Sequence, residues 1–72
     1  MMKCSICNKS VHLVKVTSEV VQCTDCLAKM INEIYRDQND WSKQEYLTLL
    51  IACVKNISEG NIRRLQELTV TS

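Results

Sequence analysis

The apolar residues of this chain recur in more than one rhythm. Between residues 11 and 22, Val11, Leu13, Val14, Val16, Val20 and Val21 stand on either side of a polar break, Thr17-Ser18-Glu19. β-Branched residues around such a break predict a short hairpin. From Cys26 onward the period changes. Leu27, Met30, Ile31 and Ile34 fall at i, i+3, i+4 and i+7, the spacing of one helix face. Thr24 or Asp25 is expected to cap this helix, because a side-chain oxygen there accepts an unpaired backbone N–H. A polar stretch, Arg36-Asp37-Gln38-Asn39-Asp40, separates it from the next element.

The next start signal is explicit. Ser42 followed three residues later by Glu45 makes a capping box, and Trp41 with Tyr46 makes a hydrophobic staple. The pattern predicts a helix from Ser42 to about Asn56. Its apolar residues run from Tyr46 through Val54 with only Thr48 interrupting, far wider than one stripe. A helix apolar on most sides must be covered on most sides. One side can pack on Leu27, Met30, Ile31 and Ile34, and a last helix around Ile62, Leu65 and Leu68 can cover another. In so small a chain apolar surface is left over, and such surface marks protein–protein contact. Leu47, Leu50, Ile51 and Val54 are therefore the candidates for a partner surface, for self-association into a homodimer, or for the core beneath that surface.

Composition restricts the classes that remain. Seventy-two residues make one domain with a small core, and domains this short often depend on a metal or a partner chain. The chain has no Pro, no Phe and one Gly, which favours regular, mostly helical structure. It has no run of eighteen apolar residues, so no membrane span is expected. Met1-Met2-Lys3 leads directly into the first cysteine without the apolar stretch of a signal peptide. Reduced cysteines and a cytoplasmic location are the corresponding expectation.

The cysteines carry the chemistry. Cys4-Ser5-Ile6-Cys7 and Cys23-Thr24-Asp25-Cys26 form two Cys-x-x-Cys pairs with fifteen residues between them. Each pair lets two sulfurs reach one ion while the backbone turns around it. Two pairs complete a tetrahedron, so the pattern reads as a structural Zn2+ site with Cys4, Cys7, Cys23 and Cys26 as ligands. A redox Cys-x-x-Cys belongs beside the strand–helix unit of a larger fold, and two disulfides would leave Cys53 over. A closed four-thiolate site keeps no position for water. With no base beside a nucleophile and no phosphate-cradling glycine loop, an enzyme is not expected. His12 is read as a surface residue of the hairpin, and Cys53 as a small apolar residue. The helix that Cys26 opens points its N-terminal dipole at the thiolates.

These residues carry a resemblance. Cys4-x-x-Cys7, fifteen residues, then Cys23-x-Asp25-Cys26-x-x-Lys29-x-Ile31 is similar to the Gin-type small zinc-binding anti-sigma factors. The likeness covers residues 4 to 31, and beyond Tyr35 the chain departs from it. It implies zinc ligation by the same four cysteines. It also implies a partner in the transcription apparatus, a sigma factor or RNA polymerase, and an inhibitory action.

A second resemblance lies at residues 48–68, where Ala52, Asn56, Ile57, Gly60, Ile62 and Leu65 look like a helix-turn-helix. Gly or Asn would take the left-handed turn conformation. Ser58, Asn61, Arg63 and Arg64 would then face a major groove, with Arg and Asn as base readers. Alternatively, Gly60 ends one helix and Asn61 caps the next. Charge separates the readings. The formal charge is +1, and four thiolates on one dication bring the loaded protein to about −1. DNA-binding domains usually carry a clear basic excess. The sequence therefore predicts a small α-rich zinc-binding domain. A treble-clef-like zinc finger with its helix (residues 1–37) is followed by a two-helix tail packed on it (38–72). A protein partner ranks ahead of DNA.

Overall fold

A computed structural model describes residues 2–37, 41–54 and 56–70. The element order is a two-stranded hairpin and three helices: β1 (Leu13–Lys15), β2 (Val21–Cys23), α1 (Thr24–Asp37), α2 (Lys43–Cys53) and α3 (Glu59–Val70). The strands are antiparallel, with Leu13 opposite Cys23, Val14 opposite Gln22 and Lys15 opposite Val21. The expected polar break, Thr17-Ser18-Glu19, makes the turn. Thr17 Oγ1 accepts from the backbone N–H of Glu19 (3.2 Å) and Val20 (3.0 Å), the local side-chain bonding that favours Thr in turns.

α1 begins two residues earlier than its apolar rhythm suggests. Neither Thr24 nor Asp25 caps it. Both belong to the helix, and the backbone N–H of Cys26 points instead to Cys23 Sγ at 3.5 Å. A sulfur thus stands where a cap oxygen was expected. Thr24 is free to be buried, and its N–H donates to the His12 carbonyl (3.0 Å), fastening the helix to the hairpin. Leu27 and Ile31 are fully buried, and Met30 and Ile34 lie half-buried beside them. Arg36 and Asp37 are still helical; residues 38–40 lie outside the described residues.

α2 starts as its signals require. Ser42 is extended (φ −73°, ψ 156°), and its hydroxyl accepts from the Glu45 N–H at 3.1 Å. The Trp41 and Tyr46 rings approach to 6.5 Å between centroids. The helix stops at Cys53, short of the expected Asn56. Val54 turns extended (φ −102°, ψ 101°), and its N–H closes on the Leu50 carbonyl at 3.0 Å. That turn delivers the β-branched Val54 side chain into the core. Gly60 neither ends a helix nor forms a left-handed turn. It sits in the first turn of α3 with no positive φ, and the cap is Ser58, whose Oγ accepts from the Asn61 N–H at 3.3 Å. Asn61 is consequently not the cap.

One apolar cluster joins all parts: Val14 from the hairpin, Leu27, Ala28 and Ile31 from α1, Leu47 from α2, Val54 beyond its end, and Leu65 from α3. Thr69 is also buried, and its hydroxyl donates to the Leu65 carbonyl (2.9 Å), so it costs no lost hydrogen bond. Lys43 Nζ stands 5.5 Å over the Tyr35 ring and links α2 to the end of α1.

Candidate metal centre

The four cysteines come from two turns of chain brought together by the hairpin. In the first, the Asn8 N–H returns to the Cys4 carbonyl (3.0 Å) and the Cys4 N–H donates to the Lys9 carbonyl (2.8 Å). Asn8 takes φ 64°, a left-handed conformation that Asn tolerates better than most residues. The Ser5 N–H donates to the Val21 carbonyl (2.8 Å), which docks this knuckle on β2. In the second, Cys23 ends β2 and Cys26 lies in the first turn of α1. The backbone N–H of Ile6 points to Cys4 Sγ at 3.4 Å, matching the Cys26 N–H on Cys23 Sγ. Each turn therefore aims a backbone dipole at its own first sulfur.

The sulfurs converge. Cys4 Sγ lies 3.7 Å from Cys26 Sγ, Cys7 Sγ lies 3.4 Å from Cys23 Sγ, and all four fall within 4.8 Å of one another. All are free thiols. A tetrahedron with metal–sulfur bonds of about 2.3 Å has sulfur–sulfur edges of about 3.8 Å, so the cluster has the size to hold one metal ion. Electrostatics point the same way. Burial first, then the neighbouring thiols, push Cys26 up to about 12, and burial raises Cys23 as well. Burial opposes ionisation of Cys4 too, but backbone hydrogen bonds outweigh it and bring its pKa down to about 6. Without a cation Cys4 thus ionises easily while Cys23 and Cys26 resist. A dication removes that conflict by neutralising thiolates held this close.

Charged side chains tie the centre to the helices. Lys9 Nζ pairs with Asp25 Oδ2 at 3.0 Å, and Arg64 reaches Asp25 Oδ1 at 3.8 Å and Glu67 at 3.9 Å. The Lys9 hydrogen bond holds the Asp25 carboxyl below the usual carboxylate range. These groups are roughly half exposed, so the pairs orient more than they stabilise. The Lys9–Asp25 pair is not legible in the sequence, because sixteen residues separate its members.

The other candidate residues lie elsewhere. His12 is exposed, has φ 52° and is outside the cluster. Cys53 is exposed rather than packed as an apolar residue, beside Thr17 and Ser18 of the hairpin turn. Leu47 and Val54 are buried in the core, and Leu50 and Ile51 are half-buried against it, so these four face inward. The outward side of α2 is instead lined by Trp41, Gln44, Glu45, Thr48, Leu49 and Ala52, which form an open depression of about 460 Å³. Their spacing of three and four residues was the signal for that face. Of the groove-reading candidates, Ser58 is the cap and Asn61 Nδ2 donates to the Leu13 carbonyl (2.8 Å). Arg64 is ion-paired and Arg63 is exposed. Among the described residues no helix is long and apolar enough to cross a membrane.

No protein-family model matches the chain, and neither a curated protein nor a solved structure shows a significant similarity to it.

Proposed function

We propose that this chain is a small regulatory protein folded around a structural zinc ion, and that it acts by binding another protein rather than by catalysis. The observation that carries the metal part is the convergence of four free cysteine sulfurs within 4.8 Å. All-thiolate tetrahedral coordination suits zinc, and a site filled by four protein ligands has no open position for substrate. The local architecture is read as treble-clef-like: a knuckle, a hairpin, and a helix whose first turn supplies the last ligand. The protein-binding part rests on the outward side of α2, where Trp41 and Leu49, 42% and 46% exposed, line one depression with Ala52 and Thr48. A large aromatic beside aliphatic and small residues is the composition of an interface anchor. The likeness of residues 4–31 to Gin-type anti-sigma factors makes a sigma factor or RNA polymerase the first partner to try, with inhibition as the expected effect.

DNA binding is the lesser reading. Three of the four side chains that would read a groove are occupied: Asn61 holds the hairpin, Ser58 caps α3 and Arg64 pairs with Asp25, which leaves Arg63 exposed. Titration calorimetry of the zinc-loaded chain against purified sigma factors and core RNA polymerase tests the proposal. Leu49→Glu is expected to weaken binding at least about tenfold, as loss of a buried anchor does, with folding unchanged. Arg63→Ala should change it little. Binding to duplex DNA that is abolished by Arg63→Ala, with no affinity for either protein, would reverse the ranking.

A further inference from the structure

We propose that Cys7 is a site of oxidative modification and that Cys23 resolves it, so that the first disulfide this chain forms is Cys7–Cys23 and its formation expels the metal. The inference rests on the reading of the cluster as a zinc–thiolate site. The four sulfurs are not equivalent. Cys4 and Cys23 are buried, Cys26 is half-buried and Cys7 is exposed. Two surface depressions open onto Cys7, and both are also lined by the half-buried Cys26. One, of about 360 Å³, is walled by Lys9, Lys29 and Leu68; the other, of about 410 Å³, by Ile6, Met30 and Glu33. An oxidant in either depression therefore meets Cys7 first, as the more exposed of the two sulfurs there, whereas Cys4 and Cys23 are shielded. The partner is set by distance. Cys23 Sγ stands 3.4 Å from Cys7 Sγ, and a second short contact, Cys4 to Cys26 at 3.7 Å, likewise crosses between the two Cys-x-x-Cys pairs. Exposure of one thiolate beside a second that can resolve it is the arrangement of redox-responsive cysteines.

The oxidant is a peroxide. The Cys7 thiolate attacks one oxygen of hydrogen peroxide, the O–O bond breaks and hydroxide departs, leaving Cys7 as a sulfenic acid. The Cys23 thiolate then attacks the Cys7 sulfur; the S–S bond forms, the S–O bond breaks and a second hydroxide departs. The two sulfurs together give up two electrons, and the peroxide is reduced to two hydroxides. With two of its four ligands joined to each other, the site can no longer hold the ion. Cys53 is exposed as well, but it stands on α2 outside the cluster, so its oxidation leaves the metal in place.

The test uses the full chain, as wild type and as Cys53→Ser, with zinc first measured by elemental analysis. Hydrogen peroxide is added in the presence of a coloured zinc chelator, free thiols are counted, and disulfides are mapped by mass spectrometry after alkylation and digestion. The expected result is loss of two thiols for each zinc released and a Cys7–Cys23 linkage appearing in step with release. Both chains should behave alike, and thiol reductant with added zinc should reverse the change. Any other first linkage, Cys4–Cys26 and Cys7–Cys26 included, overturns the proposal. So does oxidation at Cys53 while zinc stays bound. A chain that holds no zinc at the outset removes the metal reading instead, and the order of disulfides in that sample still decides this one.

Discussion

The thiolate head and the helical tail hold their shapes by different means. The head leaves Met2, Ile6 and Val11 more than half exposed, and the hydrophobic residues it buries before α1 are Cys4, Val14 and Cys23, two of them candidate metal ligands. Its order comes from backbone hydrogen bonds and from four sulfurs meeting at one point. Among the described residues, the tail adds no ligand to that cluster. It is held by Leu47, Val54 and Leu65 packing onto Leu27 and Ile31. α1 belongs to both, because Cys26 faces the cluster while Leu27, Ala28 and Ile31 face the core. A chain this small can therefore divide the work: chemistry fixes the part with little apolar surface, and burial fixes the rest.

Removing the metal breaks this comparison most severely. Structural zinc contributes apparent binding free energies of about 10–16 kcal/mol, as large as the whole stability of a typical domain, about 5–15 kcal/mol. Cys4→Ser or Cys23→Ser, or a strong chelator, is expected to unfold the hairpin and the start of α1. The tail should loosen with them, since Val14, Leu27 and Ile31 share its core. Elemental analysis with far-UV dichroism and amide exchange measures this, and an unchanged spectrum after complete metal loss would contradict it. Leu47→Ala comes next. It leaves a cavity in the tail's half of the core and should cost about 2–5 kcal/mol by denaturant titration of the loaded protein. Zinc content should stay the same. Loss of metal in this variant would mean that the two halves are not separable.

What was legible in the sequence follows the same division. The four cysteines that come together could be read because metal coordination demands residue type and spacing together, and Cys-x-x-Cys leaves few alternatives. The hairpin and three helices were legible from period and from the Ser42–Glu45 signal. The cap of α1 was not, because cap rules name oxygens, and here the sulfur of Cys23 receives the N–H that a cap oxygen would take. The orientation of α2 was not either. Leu47, Leu50, Ile51 and Val54 and the opposite set with Trp41, Leu49 and Ala52 are both apolar, so the sequence offers two faces and only packing selects one. The alternative boundary, with Gly60 ending one helix and Asn61 capping the next, is misplaced because Gly60 reads as a breaker, while the hydroxyl of Ser58 starts α3 earlier.

A smaller effect sharpens the account of the tail. Ser42 supplies the cap of α2 at an exposed position. Ser42→Ala should cost about 1 kcal/mol, and Ser42→Asp, which keeps an acceptor, should restore most of it. Denaturant midpoints of the three proteins decide this. An equal loss in both variants would mean that the Trp41–Tyr46 contact, not the hydroxyl, fixes the helix start.

The smallest effect expected is at the Lys9–Asp25 pair, and its pH dependence separates two kinds of charge in the head. The Lys9 hydrogen bond lowers the Asp25 pKa, so that contribution is present above the ordinary carboxylate value and is lost as pH falls through the lowered one. Asp25 first, as hydrogen-bond partner and then as charge, raises the Lys9 pKa, so the ammonium contribution is present below the ordinary lysine value and is lost only as pH rises through the raised one. Between about pH 5 and pH 9 both groups keep their charges. Lys9→Met should therefore lower stability by a constant amount across that window, smaller than the Ser42 effect because both partners are about half exposed. High salt should erase it. Thiolate ligands behave differently, because protons compete with the metal for sulfur. Wild type and Lys9→Met should both lose stability as pH falls from 8 to 5, along parallel curves, with zinc release measured by a chelator following the same course. Curves that converge within the window would show that Lys9 acts on the thiolates themselves and not only on Asp25.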